Sequence, residues 1–186
     1  MKIIKMKFLI FSFILFFFTF KMYSQEKGDF RMGMYAQVNS LQDRETPMFG
    51  ITCEYFLSNK LSMNYKYGIG LNNQGTITAH INPSILSIFF IQSGDALIFS
   101  FMIPEGLSYH IYPKENLEVA PYINPLGSEI NMYENPAIAL SCNFGMNIHI
   151  KPTKDLSITP NLGAMIVYGN YEVVPNVGLS INYNFH

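Results

Sequence analysis

The sequence predicts an all-β fold, an antiparallel up-and-down barrel of eight strands of membrane-crossing length, and three observations predict it. Apolar and polar residues alternate at period two in segment after segment, which gives strands with one oily and one polar face. Those segments run to about ten residues or more, as a tilted membrane strand requires, whereas soluble strands are typically about five to six. The connections between them alternate between short and longer, as the two rims of such a barrel do.

Composition agrees with this reading. The chain has 186 residues, 49% hydrophobic and 13% charged, which suits one domain and argues against disorder or a coiled coil. Aromatics make up 15%, with 12 Tyr, 16 Phe and no Trp, a palette suited to strands. Twelve Lys and Arg against thirteen Asp and Glu lack the basic excess that would hold a polyphosphate backbone, so nucleic acid is not an expected partner.

Residues 1–24 form the outline of a signal peptide. Lys2, Lys5 and Lys7 precede the apolar run Phe8 to Phe20, and Ser24 offers a small residue before Gln25. That run is well short of the roughly 20 residues a membrane-spanning helix needs, so cleavage is expected and residues 25–186 form the barrel domain.

The strands are then expected at 30–39, 47–57, 61–72, 97–112, 117–127, 137–151, 156–168 and 173–185. The third sets Leu61, Met63, Tyr65, Tyr67, Ile69 and Leu71 against Ser62, Asn64, Lys66, Gly68 and Gly70. The sixth sets Leu140, Cys142, Phe144, Met146 and Ile148 against Ser141, Asn143, Gly145, Asn147 and His149. The last sets Val177, Leu179, Ile181, Tyr183 and Phe185 against Asn176, Gly178, Ser180, Asn182 and Asn184.

Short turns fall at 58–60, 113–116 and 152–155, and longer loops at 40–46, 72–95, 128–136 and 169–172. Pro121, Pro160 and Pro175 lie inside proposed strands and lack a ladder N–H, so bulges or strand ends are expected there. If residues 73–96 supplied two more strands the count would be ten. Eight is preferred because dividing 96–112 at Pro104-Glu105-Gly106 leaves halves too short to span.

Over nearly its whole mature length this pattern resembles the small eight-stranded outer-membrane barrels of the OmpA and OmpX type. Pro160-Asn161-Leu162-Gly163 is echoed by Pro175-Asn176-Val177-Gly178. The closing strand ends in Tyr183-Asn184-Phe185, similar to the terminal aromatic signal of that group, with His186 following it. The resemblance implies a bacterial outer-membrane location, contact with outer-membrane lipid and insertion by the barrel-assembly machinery.

An eight-stranded barrel is just wide enough to be filled by side chains, so a polar plug is the expected interior. The inward set contains Arg31, Glu54, Lys66, His110, Glu118 and His149. Hairpin register sets Glu54 opposite Asn64 and diagonal to Lys66, and His110 opposite Glu118. Buried charge is costly unless paired, so mutual neutralisation is the expected role, against a gated or ligand-binding cluster as the sharper alternative.

Ser108 shares a face with His110 and Glu118, which raises a lipid-modifying hydrolase as an alternative. Two residues along a strand is about 6.8 Å, too far for a direct hydrogen bond. No metal site is expected from His80, His110, His149 and His186, no cofactor is implied, and a bridge between Cys53 and Cys142 across a barrel exterior is not expected.

Tyr65, Tyr67, Tyr109, Tyr168, Tyr183 and Phe185 are candidates for interfacial girdles. Ile85, Leu86, Ile88, Phe89, Phe90 and Ile91, apolar on both faces within an expected outer loop, are the best candidate for contact with a surface partner. The function expected is non-enzymatic, structural or surface-interacting. An accessory barrel of a secretion or motility apparatus, a narrow solute pore and a secreted β-sandwich stand as further alternatives.

Overall fold

Alternation needs a partner on each side of every strand, and the chain supplies it by closing on itself. The structure, a computed structural model, describes residues 25–41, 44–71, 77–81, 104–131, 137–168 and 172–186. The expected signal peptide, residues 1–24, and the segment holding Ile85, Leu86, Ile88, Phe89, Phe90 and Ile91 lie outside the described residues.

Ten strands are described: β1 (Phe30–Leu41), β2 (Arg44–Ser58), β3 (Leu61–Leu71), β4 (Ile77–Ile81), β5 (Gly106–Tyr109), β6 (Ile111–Lys114), β7 (Leu117–Asn131), β8 (Ala137–Ile150), β9 (Leu156–Val167) and β10 (Glu172–Phe185). They form one antiparallel ring in which β1 pairs with both β2 and β10, from Phe30 opposite Phe185 to Asn39 opposite Asn176. A two-sheet sandwich is excluded by this closure. The barrel nevertheless has eight positions, because β4 and β5 both lie between β3 and β7 and succeed one another down a single stave, with β6 continuing on β7.

This divided fourth stave corrects the expected strand at 97–112. Residues Ile77–Ile81, expected within a loop, carry its upper part, and Gly106–Lys114 carry its lower part. Three expected loops also shrink. β1 and β2 pair out to Leu41 opposite Arg44, β7 and β8 to Asn131 opposite Ala137, and β10 begins at Glu172 opposite Val167. The longest strands, β2 and β7, have 15 residues each. At about 3.4 Å per residue and about 40° of tilt they rise about 39 Å, more than the roughly 25 Å apolar band of such barrels.

Burial is inverted relative to a water-soluble domain. Met34 is 74% exposed and Phe49 and Ile69 64%, while Arg31, Glu54, His110, Glu118, His149 and Lys151 are buried. In the three strands quoted from the sequence the expected faces hold, with Leu140, Leu179 and Ile181 outside and Ser141, Asn143, Asn182 and Asn184 inside. Tyr109, Tyr183 and Phe185 are half exposed near the short-turn rim and Tyr168 at the other, whereas Tyr65 and Tyr67 stand at the middle of β3. Cys53 and Cys142 are free thiols on β2 and β8.

The expected proline bulges are absent at the expected places. Pro121 pairs with Met146, Pro160 with Leu179 and Pro175 with Ala164 in unbroken register. A strand residue points its N–H toward one neighbour only, so each proline keeps the ladder on one side while the other side skips it or stops there: β5 and β6 pair with β7 on either side of Pro121, β8 and β9 pass from Asn147–Asn161 to Ile150–Ile158, and β1 pairs with β10 only as far as Asn176. Register shifts fall instead between Phe56 and Ser58, Ile111 and Lys114, and Asn124 and Gly127, the last two spanning Pro113 and Pro125.

Two tyrosines pack the interior against bare backbone. A Cβ on Gly145 or Gly163 would come within 2.9 or 2.6 Å of the Tyr122 hydroxyl, so only glycine leaves room for that ring, and Tyr35 lies in the same way against Gly68. At the short-turn end, residues 25–29 fold under the mouth. Gly28 takes a positive φ of 98°, donates to the Phe56 carbonyl at 2.8 Å, and leads Asp29 into a bond from the Phe56 amide at 3.0 Å.

Candidate functional site in the barrel interior

Five of the six expected interior residues meet in one network near the short-turn rim. β1 places Arg31 directly between Glu54 of β2 and Asn184 of β10, and β7 and β8 place Glu118 opposite His149. The Arg31 guanidinium donates to Glu54 Oε2 at 2.7 Å, to Asn184 Oδ1 at 2.8 Å, and through both terminal nitrogens to Glu118 at 2.9 and 3.0 Å. The paired bonds to Glu118 use the planar fork that matches a carboxylate.

Glu118 is the hub of this network. Besides Arg31 it holds His110 Nδ1 at 2.6 Å and Lys151 Nζ at 2.6 Å, with His149 Nε2 at 3.5 Å. His110 Nε2 lies 3.2 Å from Glu54, which joins the two carboxylates through one ring. Phe56, fully buried, forms the floor, with Arg31 above its face at 5.1 Å and the His110 ring 4.7 Å from its centroid. Two carboxylates thus face a guanidinium and an ammonium, the matched pairing that makes buried charge tolerable.

The expected pairings are met unevenly. Glu54 stands opposite Asn64 as expected. The ladder pairs Ile111 with Val119, which leaves His110 diagonal to Glu118 and not opposite it, yet the imidazole still reaches the carboxylate. Lys66 does not join this network. It donates to Gln37 Oε1 and lies 4.4 Å over the Tyr35 ring, higher in the barrel.

A second cluster, which sequence reasoning missed, sits in the half nearer the longer connections. His80 of β4 bridges Glu129 of β7 at 2.5 Å and Glu105 at 2.9 Å. Beside the Arg31 network lies a cavity of about 60 Å³ lined by Arg31, Glu54, Lys66, Tyr122, Asn143 and Asn161 among others. At about 10–15 Å³ for each water centre it has room for a few waters. Lys151 was also missed, although it continues the inward parity of Asn147 and His149.

The alternative hydrolase arrangement around Ser108 does not form. Ser108 Oγ bonds Asn64, and it is Ser62 that meets His110 Nε2, at 2.7 Å, with Nδ1 on Glu118. The order Ser62, His110, Glu118 is that of an acyl-transfer triad. Ser62 Oγ also donates to Glu54 Oε1 at 2.6 Å, so its hydroxyl is shared between a carboxylate and the imidazole. Ser62 is also fully buried.

His110, Glu118 and His149 bring three possible metal-ligand atoms within 4.8 Å of one another. The Arg31 guanidinium contacts both Glu118 and His149, and Lys151 holds Glu118 as well, so a cation there would face two fixed positive charges at contact distance.

A closed antiparallel ring of eight staves, apolar outside and charged inside, defines the fold class as a small transmembrane β-barrel. No family model and no curated protein matches the sequence. Solved structures do. The N-terminal β-barrel domain of Pseudomonas aeruginosa OprF matches with a TM-score of 0.57 at 13% identity, over 87% of this chain and 100% of that one. OprG from the same organism matches at 0.54 and 8% identity, over 89% and 100%. Ail, the attachment invasion locus protein of Yersinia pestis, matches at 0.53 and 9% identity, over 87% and 100%. The chain is therefore similar in fold to these small outer-membrane barrels.

Proposed function

We propose that the chain is a non-enzymatic barrel of the bacterial outer membrane, exported by residues 1–24, inserted by the barrel-assembly machinery and seated in outer-membrane lipid, with its lumen sealed by a charged plug. Its role is structural or surface-interacting, carried by the rim of longer connections and the residues that join them, Ile85 to Ile91 included. The observation that carries this reading is the Arg31 network, which reaches β2, β7, β8 and β10 from β1 beneath an apolar outer wall. A lumen crossed in this way supports a closed barrel over a solute pore.

Ser62, buried and hydrogen-bonded to Glu54, supports the non-enzymatic reading. The test is fractionation and gel mobility of the protein expressed with its first 24 residues. Recovery with the outer membrane, a start at Gln25 and a shift in mobility on boiling are expected. Recovery in the soluble fraction, or labelling of Ser62 by a fluorophosphonate probe in the folded barrel, would contradict the proposal.

A further inference from the structure

The fourth stave is joined, not continuous. β4 pairs with Gly68 to Leu71 of β3, β5 with Leu61 to Asn64, and Tyr65, Lys66 and Tyr67 separate the two paired blocks. The lower block is secured by backbone: Glu105 donates its N–H to the Asn64 carbonyl at 2.8 Å and accepts from the Leu126 N–H at 3.2 Å. The upper block is a strand of five residues held by two short ladders, to β3 and to β7. Among the described residues, those two ladders are the backbone pairings that hold it.

One side chain spans the join on the lumen side. His80, next to last in β4, directs Nε2 to Glu105 at the head of β5 and Nδ1 to Glu129 of β7; His80 and Glu105 are buried and Glu129 is partly buried. A planar ring with two nitrogens pointing apart is the side chain that can hold two carboxylates from opposite sides. Glu129 faces the lumen because the register shift between Asn124 and Gly127 changes which residues of β7 point inward, at the height of the join.

We propose that His80 is a tie across this join. It keeps β4 in line with β5 and against β7, so that a wall divided between Ile81 and Pro104 remains closed. Interactions of this charged, buried kind are worth enough to change local opening by about tenfold to a hundredfold.

The experiment is amide hydrogen exchange of the full barrel, folded in phospholipid vesicles, read segment by segment. In His80→Ala, residues 77–81 are expected to exchange about ten to a hundred times faster than in the wild type, with β9 and β10 unchanged. Because that variant leaves two buried carboxylates facing each other, His80→Ala combined with Glu105→Gln and Glu129→Gln removes the charges and is expected to show the same local loss. Glu129→Gln alone is expected to give a smaller rise confined to β4. Wild-type protection of β4 in these variants would overturn the proposal, as would a loss spread equally over β9 and β10.

Discussion

The guanidinium of Arg31 and the carboxylate of Glu118 meet across the full width of the barrel, at 2.9 and 3.0 Å, from strands four positions apart in either direction round the ring. Neighbouring strands are held together by their ladders. Opposite strands have no backbone contact, so a cross-lumen pair both ties the walls and occupies the space a solute would use. In a site shielded from water the arrangement is tolerable only while each charge keeps its partner.

Removal of the cation is therefore the sharpest perturbation. Arg31→Ala removes the cation that Glu54 and Glu118 share and leaves Glu118 to Lys151 and His110, and is expected to destabilise the folded barrel by about 3–5 kcal/mol. Arg31→Lys, a point charge without the fork, is expected to recover only part of that loss. Equilibrium urea unfolding in phospholipid vesicles measures both.

The outer wall offers a second test. Leu179, half exposed near the middle of β10, stands between the lumen-facing Gly178 and Ser180. Leu179→Arg is expected to cost about 2–4 kcal/mol in a bilayer, because a charge at mid-depth faces hydrocarbon. The same change on a water-exposed surface is usually within about 0.5 kcal/mol, so unfolding measurements in vesicles separate the two environments.

Packing inside the wall gives a third. A Cβ at position 163 would sit 2.6 Å from both the Phe144 carbonyl and the Tyr122 hydroxyl. Gly163→Ala is expected to destabilise by about 1–3 kcal/mol, the usual cost of overpacking, and its unfolding midpoint should fall accordingly.

Much of this was legible in the residues. Period-two alternation placed the faces of β3, β8 and β10, and the same parity put Arg31, Glu54, Glu118 and His149 in one lumen. Lys151 obeys that parity too, as the last residue of the strand expected at 137–151, although it stands outside the expected inward set. Glu129 was not legible: the bulge around Pro125 inverts the parity set by Glu118 and Asn124, so that counting along β7 gives the wrong face. β4 was hidden for another reason. Five residues are too few to carry a strand signal alone, and they become wall only because β3 and β7 stand ready on both sides. Lys66 stands diagonal to Glu54 in the ladder as expected, yet its side chain turns to Gln37, because register fixes height along a strand but not the direction a long flexible side chain takes.

The measurement that tests the central claim most directly is the conductance of the folded wild-type barrel in a planar lipid bilayer. With the lumen crossed by Arg31 and Glu118, no steady unitary current is expected under an applied voltage, whereas replacing both residues with alanine in a variant that still folds is expected to raise the ion leak. A steady, open ionic current through the wild-type barrel would contradict the account.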